Sequence, residues 1–84
     1  MTLETLKNAP RVIGVKQVMK AVSRSMVQSV FVAVDADDRV VAPLMEMCQT
    51  NGIEVVMVDS MDELGNVCSI EVGSAAAAIL KQDC

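Results

Sequence analysis

Histidine is absent from the 84 residues. Without it there is no Ser–His or Cys–His nucleophile pair, no imidazole general base and no imidazole metal ligand. Aromatic residues are almost as scarce. Phe31 stands alone, which excludes the base-stacking platforms of oligonucleotide-binding barrels and RNA-recognition sheets. Cys48, Cys68 and Cys84 are odd in number and show no Cys-x-x-Cys spacing. They read as reduced thiols, two of them small core hydrophobes, and not as a metal or redox centre. With 4 glycines and 2 prolines the chain is neither fibrous nor disordered. No apolar run reaches the roughly 18 residues of a membrane span, and Met1-Thr2-Leu3-Glu4 does not begin a signal peptide. A soluble, cytoplasmic protein with no membrane partner is expected, and no cofactor, metal or small-molecule substrate is implied.

What is present is apolar surface and unevenly placed charge. The chain is 52% hydrophobic and 21% charged, enough for one domain spanning 1–84. A chain of this size buries only about 60% of its unfolded surface, so a compact fold of modest stability is expected. The formal net charge is −4, but residues 1–34 carry Lys7, Arg11, Lys16, Lys20 and Arg24 against Glu4, a net +4. Residues 35–84 carry Arg39 and Lys81 against ten carboxylates, a net −8. One basic face on an acidic body suits a phosphate-bearing partner while keeping the protein soluble.

Periodicity divides the chain into alternating helices and strands. Thr2–Ala9 reads as a short helix ended by Pro10. Val12 and Ile13 form a β-branched run closed by Gly14, after which Val15, Val18, Met19 and Val22 share one helix face. Val30–Val34 is a buried-type strand that ends in the Asp35-Ala36-Asp37-Asp38 turn. A helix from about Val40 to Asn51 should hold Pro43 in its first turn and close at Gly52. Ile53–Val58 is a further strand. Ser60-Met61-Asp62-Glu63 is a capping box that starts a helix reaching about Cys68, interrupted or tightened at Gly65. Ser74–Leu80 is helical by propensity, but the helix–strand alternation favours a final strand of small side chains. The expected fold is α/β: a single-domain, three-layer α-β-α sandwich on a four-stranded mixed sheet.

Two segments are candidates for function. Gly14-Val15-Lys16-Gln17-Val18-Met19-Lys20 joins a strand to a helix N-terminus, whose first N–H groups lack internal partners and favour an anion. Lys16, Lys20 and Arg24 recur every fourth residue. Lysine donates to guanine O6 or N7, and glutamine both donates and accepts at a base edge. The same pattern also describes an ordinary amphipathic helix with a solvated basic face. Leu64–Gly73 keeps apolar residues between turn-formers, either to cover an unstacked base or simply to pack a helix end on the core. Asp35, Asp37 and Asp38 lack the glycine and closing glutamate of a calcium loop and read as turn and N-cap residues. Nothing else suggests an enzyme.

Taken in order, Gly14–Val22, Val32–Asp37, Pro43–Cys48 and Leu64-Gly65 with Ile70–Ala76 resemble the kink-turn RNA-binding family of large-subunit ribosomal protein "seven-Ae" and "thirty-e" type. The likeness runs from Arg11 to Leu80 and is strongest to small bacterial YbxF-type members. It implies binding of sharply bent, structured RNA, ribosomal or regulatory, at tandem sheared G·A pairs. Gly14, Lys16, Gln17 and Lys20 would meet the widened major groove, and Arg11 and Arg24 would screen phosphates. Cys68, Ser69, Ile70 and Glu71 would lie near a flipped-out nucleotide. Archaeal members usually carry Asn-Glu where this chain has Lys16-Gln17, and glycine is frequent where Ser25 and Ser69 stand. Glutamine accepts without charge assistance and Glu71 repels phosphate, so weaker, more salt-sensitive binding than in archaeal proteins is expected. The remaining alternative is a protein-interaction module of the same fold that has lost RNA binding. No large exposed apolar stripe calls for a dimer, so a monomer is expected.

Overall fold

Four strands and three helices alternate along residues 10–67 and 74–81, which the computed structural model describes. They are β1 (Arg11–Ile13), α1 (Val15–Ser23), β2 (Val27–Ala33), α2 (Asp38–Asn51), β3 (Glu54–Val58), α3 (Met61–Val67) and β4 (Ala76–Leu80). The sheet order is β1-β4-β2-β3. β2 and β3 run parallel with Phe31 opposite Val56, whereas β4 is antiparallel to both its neighbours, Ala78 lying between Val12 and Val30.

The alanine run is therefore a strand. Ala76, Ala77 and Ala78 are all fully buried, and β1 and β2 supply backbone partners on both sides. Helix propensities differ by less than about 1 kcal/mol per residue, too little to outweigh that pairing. Side-chain alternation then separates two cores. Val30, Val32, Ala76 and Ala78 face α1 and α2, meeting Val18, Val22, Val41, Leu44 and Cys48. Phe31, Val58, Ala77 and Ile79 face α3 and meet Leu64. Helices thus cover both faces, and the expected three-layer architecture on a mixed sheet is what the chain adopts.

Several boundaries differ from the sequence reading. β2 begins at Val27 and ends at Ala33, leaving Val34 outside the strand and 58% exposed. α2 begins at Asp38 because Asp37 caps it, so Pro43 falls in the second turn, not the first. It withholds an N–H from the Arg39 carbonyl, an exposed residue whose oxygen water can satisfy. Gly65 does not interrupt α3 and is buried within it. Gly52 ends α2 in the left-handed region (φ 66°, ψ 33°), and the Ile53 N–H returns to the Cys48 carbonyl at 2.9 Å. The expected helix over Thr2–Ala9 and the end of α3 at Cys68 lie outside the described residues.

Candidate functional site

β1, β2 and β3 all run in one direction, so α1, α2 and α3, which follow them, begin at the same end of the sheet. Each helix start leaves backbone N–H groups without helical acceptors. At α2, Asp37 Oδ1 accepts from the Arg39 N–H at 2.9 Å. The Arg39 side chain also bonds this carboxylate, and the two contacts hold the Asp37 carboxyl below its ordinary value. At α3, Ser60 Oγ accepts from the Glu63 N–H at 3.0 Å, and Asp35 Oδ1 accepts from the Met61 N–H at 2.8 Å.

At α1 the cap is Gly14, and among the described residues no side chain accepts from the first turn. Gly14 spends its own groups on the fold: its N–H donates to the Ala76 carbonyl at 2.8 Å, and its carbonyl accepts from Val18 at 2.9 Å. Its backbone sits at φ 98°, ψ 143°, a region open in practice only to glycine. No atom of the described residues lies within 4 Å of where a Cβ would be, and the φ itself calls for glycine.

This turn aims the first residues of α1 outward. Lys16, Gln17 and Lys20 are all exposed, while Val18, Ala21 and Val22 face the core. Lys16, Lys20 and Arg24 form no ion pair with any described residue; the Arg39–Asp37 pair at 3.3 Å is the one present among them. Arg24 is exposed but lies just past α1, its N–H held by the Ala21 and Lys20 carbonyls at 3.2 and 3.3 Å. The basic row therefore ends at the C-cap of α1. Arg11 is half-buried in β1.

Gln17, Lys20 and Arg24 share one side of a shallow groove of about 150 Å³ floored by Val12, Met26 and Leu80. Sequence reasoning missed these three apolar residues, because only strand pairing and the turn at Ser25 bring them beneath α1. Ser25 itself has φ 57°, which explains why its position suits glycine. The Asp35 contact to α3 was missed as well, since it spans 26 residues and leaves no local signal.

Cys68, Ser69, Ile70 and Glu71 lie outside the described residues. Beyond them, the Ser74 N–H donates to the Met61 carbonyl at 3.1 Å, and its hydroxyl donates to the Ala76 carbonyl at 2.7 Å. The Ala76 carbonyl also receives the Gly14 N–H, so the start of β4 is tied directly to the turn that begins α1. No cluster of metal-ligating side chains occurs among the described residues, and no helix among them is long and apolar enough to cross a membrane.

The chain is similar to proteins of known name across most of its length. An RNA-binding protein of Caldanaerobacter subterraneus subsp. tengcongensis is 47% identical over 68 residues, covering 81% of this chain and 83% of that protein. The large ribosomal subunit protein eL8 of Halobacterium salinarum is 46% identical over 68 residues, 80% of this chain but 57% of the longer archaeal protein. Among solved structures, the Giardia lamblia 15.5kD RNA binding protein superposes with a TM-score of 0.90 at 29% identity, covering 96% of this chain and 72% of that one. The family model for ribosomal protein L7Ae/L30e/S12e/Gadd45 matches residues 2–84. With the layered sheet, the glycine-led α1 and these relatives in agreement, the chain belongs to the L7Ae/L30e/S12e/Gadd45 family of ribosomal proteins.

Proposed function

We propose that the protein, acting as a single domain, binds and stabilises kink-turn RNA in the cytoplasm, in association with ribosomal or structured regulatory RNA. It is a binding protein and not an enzyme. The observation that carries this reading is the start of α1. Among the described residues it is the one of three neighbouring helix N-termini that no side chain caps, and it presents Lys16, Gln17 and Lys20 together in a family whose relatives are named RNA-binding proteins.

In this reading the α1 N–H groups and dipole attract RNA acceptors, while Lys16, Gln17 and Lys20 address base edges and phosphates in the opened major groove. Arg24 and Arg11 extend the positive field toward the flanking backbone. Residues 68–71 supply the second contact, to an unstacked nucleotide. The protein adds no chemistry. It shifts an RNA that already samples the bent form toward that form, by binding it preferentially.

The test is binding to a short duplex with a kink-turn, beside the same duplex with its G·A pairs made Watson–Crick, across a salt series. Binding to the bent RNA alone is expected. Equal, weak, salt-labile binding to both would leave only a non-specific basic patch and favour a protein-interaction role for the fold.

A further inference from the structure

On the face of the sheet that carries α1 and α2, but away from α1, α2 and the edge strand β3 leave an apolar groove of about 380 Å³. Val34, Val41, Met45 and Met57 line it, and Asp38 and Glu46 are its charged lining residues. Val34 and Met57 are 58% and 52% exposed, unusual for large apolar side chains placed side by side. We propose that this groove is a docking site for an extended segment of a partner protein in which basic and apolar residues alternate.

The chemistry of the walls selects that occupant. Asp38 and Glu46 are eight residues apart on one helix, about 12 Å along its axis. In an extended strand, residues i and i+4 are about 13 Å apart and on the same side, with i+2 between them. A Lys-x-Val-x-Lys segment therefore sets one cation near each carboxylate and one apolar side chain over Met45 and Met57. β3 forms an edge of the sheet, and its outer backbone groups can pair with such a segment. The acidic rim repels an RNA phosphate. A second copy related by a two-fold axis would set the same carboxylates against each other. The groove uses none of Lys16, Gln17 or Lys20, so this proposal stands apart from the RNA-binding reading.

The probe is a blocked peptide, Gly-Lys-Ser-Val-Ser-Lys-Gly, titrated into the isotopically labelled full chain and followed by amide shifts. Saturable changes at Val34, Val41, Met45 and Met57 are expected, lost when the peptide valine becomes serine or its lysines become glutamates. Glu46→Lys and Met57→Glu, both at solvent-facing positions, should each weaken the peptide about threefold to fivefold or more. Neither should change RNA binding. No shifts, shifts confined to α1, or equal binding of the glutamate peptide would overturn the proposal. So would concentration-dependent dimerisation abolished by Met57→Glu, which would assign the groove to a second copy.

Discussion

Of the three described positions with positive φ, Gly14 and Ser25 carry opposite residues, and each predicts a substitution. Gly14→Ala meets no steric obstacle among the described residues but must hold φ near 98°, a strain of about 1–3 kcal/mol. Urea unfolding should show that loss, and RNA binding should fall with it because Gly14 aims the first turn of α1. Ser25 holds φ 57° without being glycine, at a cost of roughly 1–2 kcal/mol for an L-residue. Ser25→Gly is expected to raise the melting temperature, the gain being reduced by the greater freedom of unfolded glycine. Lys20, exposed and unpaired among the described residues, tests the interface. Lys20→Ala should weaken kink-turn binding and reduce the salt slope by about one. Lys20→Glu should abolish binding with an unchanged circular dichroism spectrum; wild-type binding by that variant would show that the wrong face has been assigned.

The three helices differ at their starts, and those differences separate structural caps from an open end. α3 has only the 7 residues Met61–Val67, too short to persist alone. It depends on Leu64 packing beneath Phe31 and on two acceptors, Ser60 and Asp35. Ser60→Ala removes the acceptor of the Glu63 N–H and should cost about 1 kcal/mol. In a domain of this size that is a fall of about 4–8 °C in melting temperature. Asp35→Ala should act on the same helix start, so the double variant is expected to depart from additivity in thermal melts. α2 tolerates Pro43 because the break lies on its solvent side, while Leu44 and Cys48 hold the opposite side to the sheet. The Ser60 cap was legible in four consecutive residues; the Asp35 contact was not, because it exists only once β2 and α3 are adjacent.

Across the whole molecule, charge and burial set how the protein responds to pH. Cys48 is fully buried, and burial pushes its thiol above the ordinary 9.0. A folded-state value above the unfolded one gives stability that is present below the unfolded value and lost as pH rises through the folded one. Thermal melts should therefore decline on the alkaline side, less steeply in Cys48→Ala once its lower baseline is subtracted. Peptide mapping after alkylation should find Cys48 unmodified until the chain unfolds. Asp37 shifts the opposite way: its folded carboxyl lies low because of Arg39. Its contribution is present above the unfolded value and disappears as pH falls through the folded one, so Asp37→Asn should flatten the acid side of the same melts.

The amino-acid order by itself determined the alternation of elements, because burial on a sheet or a helix face leaves a period of 2 or 3.6 that can be counted. It also marked Gly14, Lys16, Gln17 and Lys20 as a glycine-led basic helix start, since all four lie within one local segment. The tertiary structure decided the rest. Ala76–Leu80 became a strand because β1 and β2 closed on it from both sides. Gln17, Lys20 and Arg24 came to share a groove with Val12, Met26 and Leu80 because strand pairing brings those three together. The Asp35 contact at the start of α3, and the acid-rimmed groove beside β3, depend on residues distant in sequence. Through-space contacts of that kind have no period or spacing in the chain, so only the folded molecule displays them.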